Sequence, residues 1–163
     1  MTLKFLRNKV VETEPLEDGN IAISWRLTDD LHKIEVHLVV QPPDLEIIEA
    51  DAEFKRHVPR SCIDASEQIK KIIGVSVGGG LRKIVTGLLN AEEGCSMLAD
   101  AVLESCNAVI LNFTRPGIEM GEDVTDPDQK LEGLIAMIQS NPRLIRSCIS
   151  FQDNSPIMKG LNL

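Results

Sequence analysis

The chain is 163 residues long, with 43% apolar and 26% charged residues, a globular composition that excludes disorder as its main state. Its 25 acidic and 17 basic side chains leave a net charge of −8, which argues against a non-specific nucleic-acid binder and against docking on anionic lipid. No apolar run reaches the roughly 18–20 residues of a membrane span, and no N-terminal apolar stretch has the ~7–15 residues of an export signal, so a cytoplasmic protein is expected.

Strands come first. Leu3 to Val11 is predicted as the first strand, and Glu17-Asp-Gly-Asn20 as a hairpin turn whose Asp-Gly and Gly-Asn pairs tolerate positive φ. Ile21 to Leu27 and Ile34 to Val40 alternate apolar and polar side chains, the pattern of strands with one buried face. Thr28-Asp29-Asp30 reads as the turn between them, Gln41-Pro-Pro-Asp44 as the next turn, and Glu46 to Phe54 as a fourth strand. Such short connections predict an antiparallel meander.

The period then becomes helical. Ala65, Ile69, Ile72 and Ile73 share one face of a helix over about 63–73, with Ser61 or Asp64 as cap and Gly74 as stop. Val75 to Gly80 reads as a flexible connection. It follows a helix and lacks the Gly-Lys-Ser/Thr ending of a phosphate loop. Leu81 to Leu89 fits a short helix, and Cys95 to about Phe113 a long one with its apolar stripe on Cys95, Leu98, Val102, Cys106, Val109 and Phe113. Thr114 to Gly117 ends it. An acidic loop, Gly121 to Asp128, leads through Pro127 to a helix carrying Leu131, Leu134, Ile135 and Ile138. Asn141-Pro142 breaks that helix, Arg143 to Cys148 reads as a helical turn, and Phe151 to Leu163 as a tail. Strands followed by helices define an α+β fold. The expected division is a core domain over 1–113 and a helical extension over 114–163.

Four cysteines in a chain without an export signal are expected to stay reduced, and none forms a CxxC pair. Cys62 and Cys95 stand at predicted helix starts, where the positive end of the helix dipole favours thiolate. Packing as small apolar residues is the competing reading. Cys106 lies eleven residues beyond Cys95, about 16 Å along a helix, so the two cannot share a metal. Strand parity places His32 on the buried face beside Ile34 and Val36, and Asp30 with it. His37 has the opposite parity and is expected in solvent, as is His57. No Ser/His/Asp set, HExxH motif or distinctive carboxylate pair is present. With aromatic residues at 3%, a stacking platform for single-stranded nucleic acid is not expected.

These residues carry two resemblances. Asp18-Gly19, Leu31-His32, Ile48-Glu-Ala50, Cys62, Ile73-Gly74, Gly80, and Gly94-Cys95 with Leu98 resemble, over roughly residues 15–113, an uncharacterised bacterial family of unknown function. That family usually has a His two residues after the second cysteine, where this chain has Met97. The order of strands, a cysteine before a helix and then Cys95-Ser-Met-Leu-Ala99 is also similar, more distantly, to the U-type (IscU/NifU N-terminal) iron–sulfur cluster scaffold. On that alignment Cys62 and Cys95 match two scaffold cysteines and Asp30 the scaffold aspartate. Thr28 and Gly94 stand where the scaffold has its other Cys and its His, and His32 is a candidate replacement.

Three functions are consistent with these patterns. The first is a metal or cluster domain holding zinc or iron through His32, Cys62, Cys95 and Asp30. The second is a non-catalytic module for a protein partner or a second copy of the chain, using the Gly-rich loop and the acidic C-terminal region. The third is a sulfur- or acyl-transfer enzyme with Cys62 or Cys95 as nucleophile. A catalytic role is the less expected, and neither nucleic acid nor membrane is an expected partner.

Overall fold

The computed structural model describes residues 4–56, 59–90, 94–113, 115, 124–159 and 161. By its internal contacts the chain divides into two units, Met1–Val109 and Ile110–Leu163.

Four antiparallel strands open the first unit: β1 (Arg7–Pro15), β2 (Ile21–Asp29), β3 (Lys33–Gln41) and β4 (Glu46–Phe54), side by side in chain order. The meander and the α+β class follow the sequence pattern. One face collects Ile21, Ile23, Trp25 and Leu27 from β2 with Ile34, Val36, Leu38 and Val40 from β3, all buried. Burying a large apolar side chain of this kind is worth about 1.5–3 kcal/mol, so this face is a major part of the first unit's core. A register shift between Val39 and Val40 lets both Ala50 and Ile47 of β4 face that core.

Two strand limits differ from expectation. β1 begins at Arg7 rather than Leu3 and continues to Pro15. The turn behind it closes through Leu16 N–H to the Asn20 carbonyl at 2.8 Å, with Gly19 at φ +85°. β2 does not stop at Leu27 but runs on through Thr28 to Asp29. The β2–β3 turn is therefore Asp29 to His32, closed by Asp29 N–H to the His32 carbonyl at 2.9 Å.

Helices cover the apolar face. The single helix expected over 63–73 is α1 (Arg60–Ser66) followed by a tighter 3₁₀ segment, Glu67–Ile72. Buried Ile69 and Ile72 are three residues apart, a spacing that a three-residue turn stacks on one side. Neither Ser61 nor Asp64 caps α1, because the helix starts before both, behind Pro59. α2 (Leu81–Leu89) and α3 (Ser96–Asn112), as far as Val109, complete the unit.

The Gly-rich stretch is not a loose connection. Gly74 N–H reaches the Ile47 carbonyl at 2.8 Å, Ile47 N–H the Val75 carbonyl at 2.9 Å, and Val77 N–H the Leu45 carbonyl at 2.9 Å. Residues 74–77 thus strap the first residues of β4 on its outer edge. Gly74, at φ +88°, makes the turn into that strap.

In the second unit α4 (Pro127–Ser140) is capped by the Asp126 side chain with Pro127 in its first turn. The expected tail folds back as α5 (Pro156–Lys159). Ile138, Leu144, Met158 and Leu161 form this unit's own core. Thr114, Pro116 and Gly117 of the expected turn and residues 121–123 of the acidic loop lie outside the described residues, as does His57.

Candidate functional site

The best-connected polar group in the first unit is Asp29. β2 parity puts it on the core face, in line with Leu27 and Trp25, and its side chain has no solvent exposure. Oδ1 accepts the backbone N–H groups of Leu31 at 2.8 Å and His32 at 2.6 Å. Oδ2 accepts from Arg7 Nε at 2.8 Å, and Arg7 is its direct partner across β1. His32 Nδ1 stands 3.1 Å from Oδ1. Arg56, just beyond β4, donates to the carbonyls of Asp29 and Asp30. Burial alone would raise the Asp29 carboxyl. The His32 N–H, the Arg7 guanidinium, the Leu31 N–H and the His32 ring outweigh burial and hold it well below the usual carboxylate range.

The expected ligands are distributed around this point. His32 lies half-buried against Asp29. Asp30 is exposed, not on the buried face, because the turn begins one residue later than expected and gives the inward position to Asp29. Cys62 is half-buried in α1. Cys95 is half-buried just before α3, with its N–H bonded to the Leu89 carbonyl at 2.8 Å. All four cysteines are free thiols. Among the described residues no group of three or more His, Cys, Asp and Glu side chains is placed to hold a metal ion. Cys106 belongs to the core, and burial pushes its thiol up to about 12.

A second polar link joins α3 to the sheet. Trp25, 1% exposed, donates its indole Nε1–H to Glu104 Oε2 at 2.6 Å. Glu104 Oε1 accepts from Lys9 Nζ at 2.7 Å, and that ammonium also lies 5.8 Å from the centre of the Trp25 ring. The strand alternation that buries Trp25 gave no sign of Glu104, 79 residues away.

The strand register reveals a feature spread over four separate segments. At the end of the sheet where β1 and β3 begin and β2 and β4 finish stand Lys4, Arg7, Lys9, Lys33, Lys55 and Arg56, with Asp29, Asp30, Glu35 and Glu53 as the acids; Arg7 pairs with Asp29, Lys9 with Glu104, and Lys55 with Glu35 and Glu53. At the opposite end stand Glu14, Glu17, Asp18, Asp44, Glu46 and Glu49, with no Lys or Arg over residues 14–22 or 39–49. The cationic end also exposes large apolar side chains: Phe5 at 59%, Leu6 at 67% and Leu31 at 67%.

These elements define a small α+β domain. It is an antiparallel meander with helices on one face, a buried Asp29 held by Arg7 and His32 at one end, and an acidic opposite end. The chain belongs to a family of proteins of unknown function, DUF2889, whose family model matches residues 7–111. No curated protein and no solved structure matches it. Among the described residues no helix is long and apolar enough to cross a membrane.

Proposed function

We propose that this chain is a non-catalytic protein-binding domain that takes an acidic partner at the cationic end of its sheet. The observation that carries the reading is the grouping of Lys4, Lys33 and Arg56 with the exposed Phe5, Leu6 and Leu31 on a chain of net charge −8, Arg7 beside them being paired with Asp29. Exposed apolar side chains beside like charges mark recognition surfaces. The acidic end does not cancel this field. Nine-residue strands span about 30 Å, three or more Debye lengths at physiological salt.

The test is fluorescence anisotropy with a labelled peptide of alternating Glu and Leu against its Lys/Leu counterpart. The acidic peptide should bind, more weakly as salt rises, and the double variant Lys4→Glu/Lys33→Glu should weaken it at least tenfold. Equal binding of both peptides, or no response to charge reversal, would overturn the reading.

A second reading keeps zinc or iron as a ligand of His32, Cys62, Cys95 and Asp30. One observation favours it: Asp29 engages His32 Nδ1 and leaves Nε2 as the available nitrogen, the arrangement in which carboxylates orient metal-binding imidazoles. Elemental analysis of protein purified without oxygen decides it. About one metal per chain, lost in Cys62→Ala, supports this reading, and metal-free protein ends it.

A further inference from the structure

We infer that two copies of this chain pair antiparallel through their β1 edges, about a two-fold axis at Val11, and join their four-stranded sheets into one. This dimer does not depend on the binding reading above. β1 is the outermost strand and pairs only with β2. The Leu16 N–H bonds to the Asn20 carbonyl before β2, and the Asp29 N–H to the His32 carbonyl after it. Counted from either turn, Asn8, Val10, Glu12 and Glu14 fall in the bonded pairs with β2. The backbone groups of Arg7, Lys9, Val11 and Thr13 consequently turn outward.

Charge along the edge selects a copy of itself. Before Val11 stand Lys4, Arg7 and Lys9, and after it Glu12, Glu14, Glu17 and Asp18. An antiparallel two-fold lays each half on its opposite, twice over, whereas parallel pairing lays like on like. Val11 is the middle of the nine-residue strand, so this register pairs β1 along its whole length. Val11 meets Val11, Val10 meets Glu12 and Asn8 meets Glu14. Past the strand ends Lys4 approaches Glu17 and Asp18, and Leu6, 67% exposed, approaches Leu16, 36% exposed. Centring on Glu12 or on Lys9 would set like charges against themselves, and centring on Val10 would leave Glu14 and Pro15 outside the paired strands.

Arg7 and Lys9 guard this edge, because cations on the core face discourage an arbitrary added strand. A second β1 is compatible with the guard. It sets uncharged Pro15 opposite Arg7 and uncharged Thr13 opposite Lys9, and each cation keeps its counter-ion within its own chain, Asp29 for Arg7 and Glu104 for Lys9. The other edge of the sheet is treated differently, since residues 74–77 strap the start of β4.

Sedimentation velocity on the full chain over a concentration series tests this. The parent should sediment at twice the 18.0 kDa of the chain and dissociate on dilution. Asn8 and Glu14 face each other across the seam in a non-bonded pair, where side chains stand closest. Asn8→Glu sets two pairs of carboxylates together and should weaken the dimer by about tenfold or more. Asn8→Glu/Glu14→Lys turns both pairs into ion pairs and should restore it. Asn8→Glu/Glu49→Lys has the same net charge, with the lysine on β4, and should not. In the parent, amide hydrogen exchange at Lys9, Val11 and Thr13 should slow as concentration rises. A monomer even at the highest soluble concentration would overturn the inference. So would a dimer that ignores Asn8→Glu and leaves those amides unprotected, because its interface would lie elsewhere.

Discussion

Asp29 and His32 close the β2–β3 turn on each other twice. The Asp29 N–H donates to the His32 carbonyl at 2.9 Å, and the His32 N–H donates back to Asp29 Oδ1 at 2.6 Å. The same carboxylate holds Arg7 of β1, so one buried side chain ties the ends of three strands.

Asp29→Asn should therefore lower the Tm, because the amide leaves Arg7 without its carboxylate. The pH dependence follows from the depressed carboxyl. A group whose folded pKa lies below its unfolded value stabilises fully above the unfolded value, about 3.9, and loses that contribution as pH falls toward the folded one. The Tm gap between parent and Asp29→Asn should hold constant from pH 7 to 5 and narrow below pH 4. A gap that widens in acid would show that Asp29 is not held ionised in the fold.

The strand content was legible because period two requires only neighbours in sequence. Ile21 to Leu27 and Ile34 to Val40 announce their buried faces without help. Asp29 was hidden because an aspartate followed by another aspartate reads as turn chemistry. Extending the β2 parity by two residues would have placed it inward, whereas parity from β3 carried the reading to Asp30. The charge sorting was hidden for a different reason. Lys4, Lys33 and Arg56 lie far apart in the chain, and only the pairing of Arg7 with Asp29 and of Ile34 with Phe54 brings them to one end. The Gly-rich strap was misread because Gly-Val-Ser-Val carries no alternation strong enough to announce an edge pairing.

The Trp25–Glu104 bond predicts coupling between sheet and α3. A hydrogen bond to a charged acceptor contributes about 1.5–3 kcal/mol. Trp25→Phe keeps most of the apolar bulk and removes the donor. Its coupling with Glu104→Gln in a double-mutant cycle should reach about 1 kcal/mol or more. Lys9→Met should cost less, in the range of about 0.2–1 kcal/mol for a partly exposed ion pair. Additive losses for Trp25 and Glu104 in denaturant melts would mean that the bond contributes nothing net.

The thiols should react in an order set by exposure and burial. Cys148 is exposed, Cys62 and Cys95 are half-buried, and Cys106 is buried with its thiol pushed far above ordinary values. An aromatic disulfide reagent at pH 8 should label Cys148 first and Cys106 only at the rate of unfolding. One abnormally fast thiol at Cys62 or Cys95 would instead favour thiol-transfer chemistry.

The glycines of the strap separate a structural edge from a loose linker. Gly74 sits at φ +88°, where an L side chain is strained, and a Cβ there would meet nothing within 4 Å. The cost of Gly74→Ala is therefore backbone strain alone, about 1–2 kcal/mol. Gly79 also has open space around its Cβ position and is not held at positive φ. Gly79→Ala should be neutral, or stabilise by about 0.4–1 kcal/mol through a less flexible unfolded chain. A loss of stability for Gly74→Ala and none for Gly79→Ala in paired urea melts is the expected result. Equal, negligible effects would mean that residues 74–77 do not hold the β4 edge in solution.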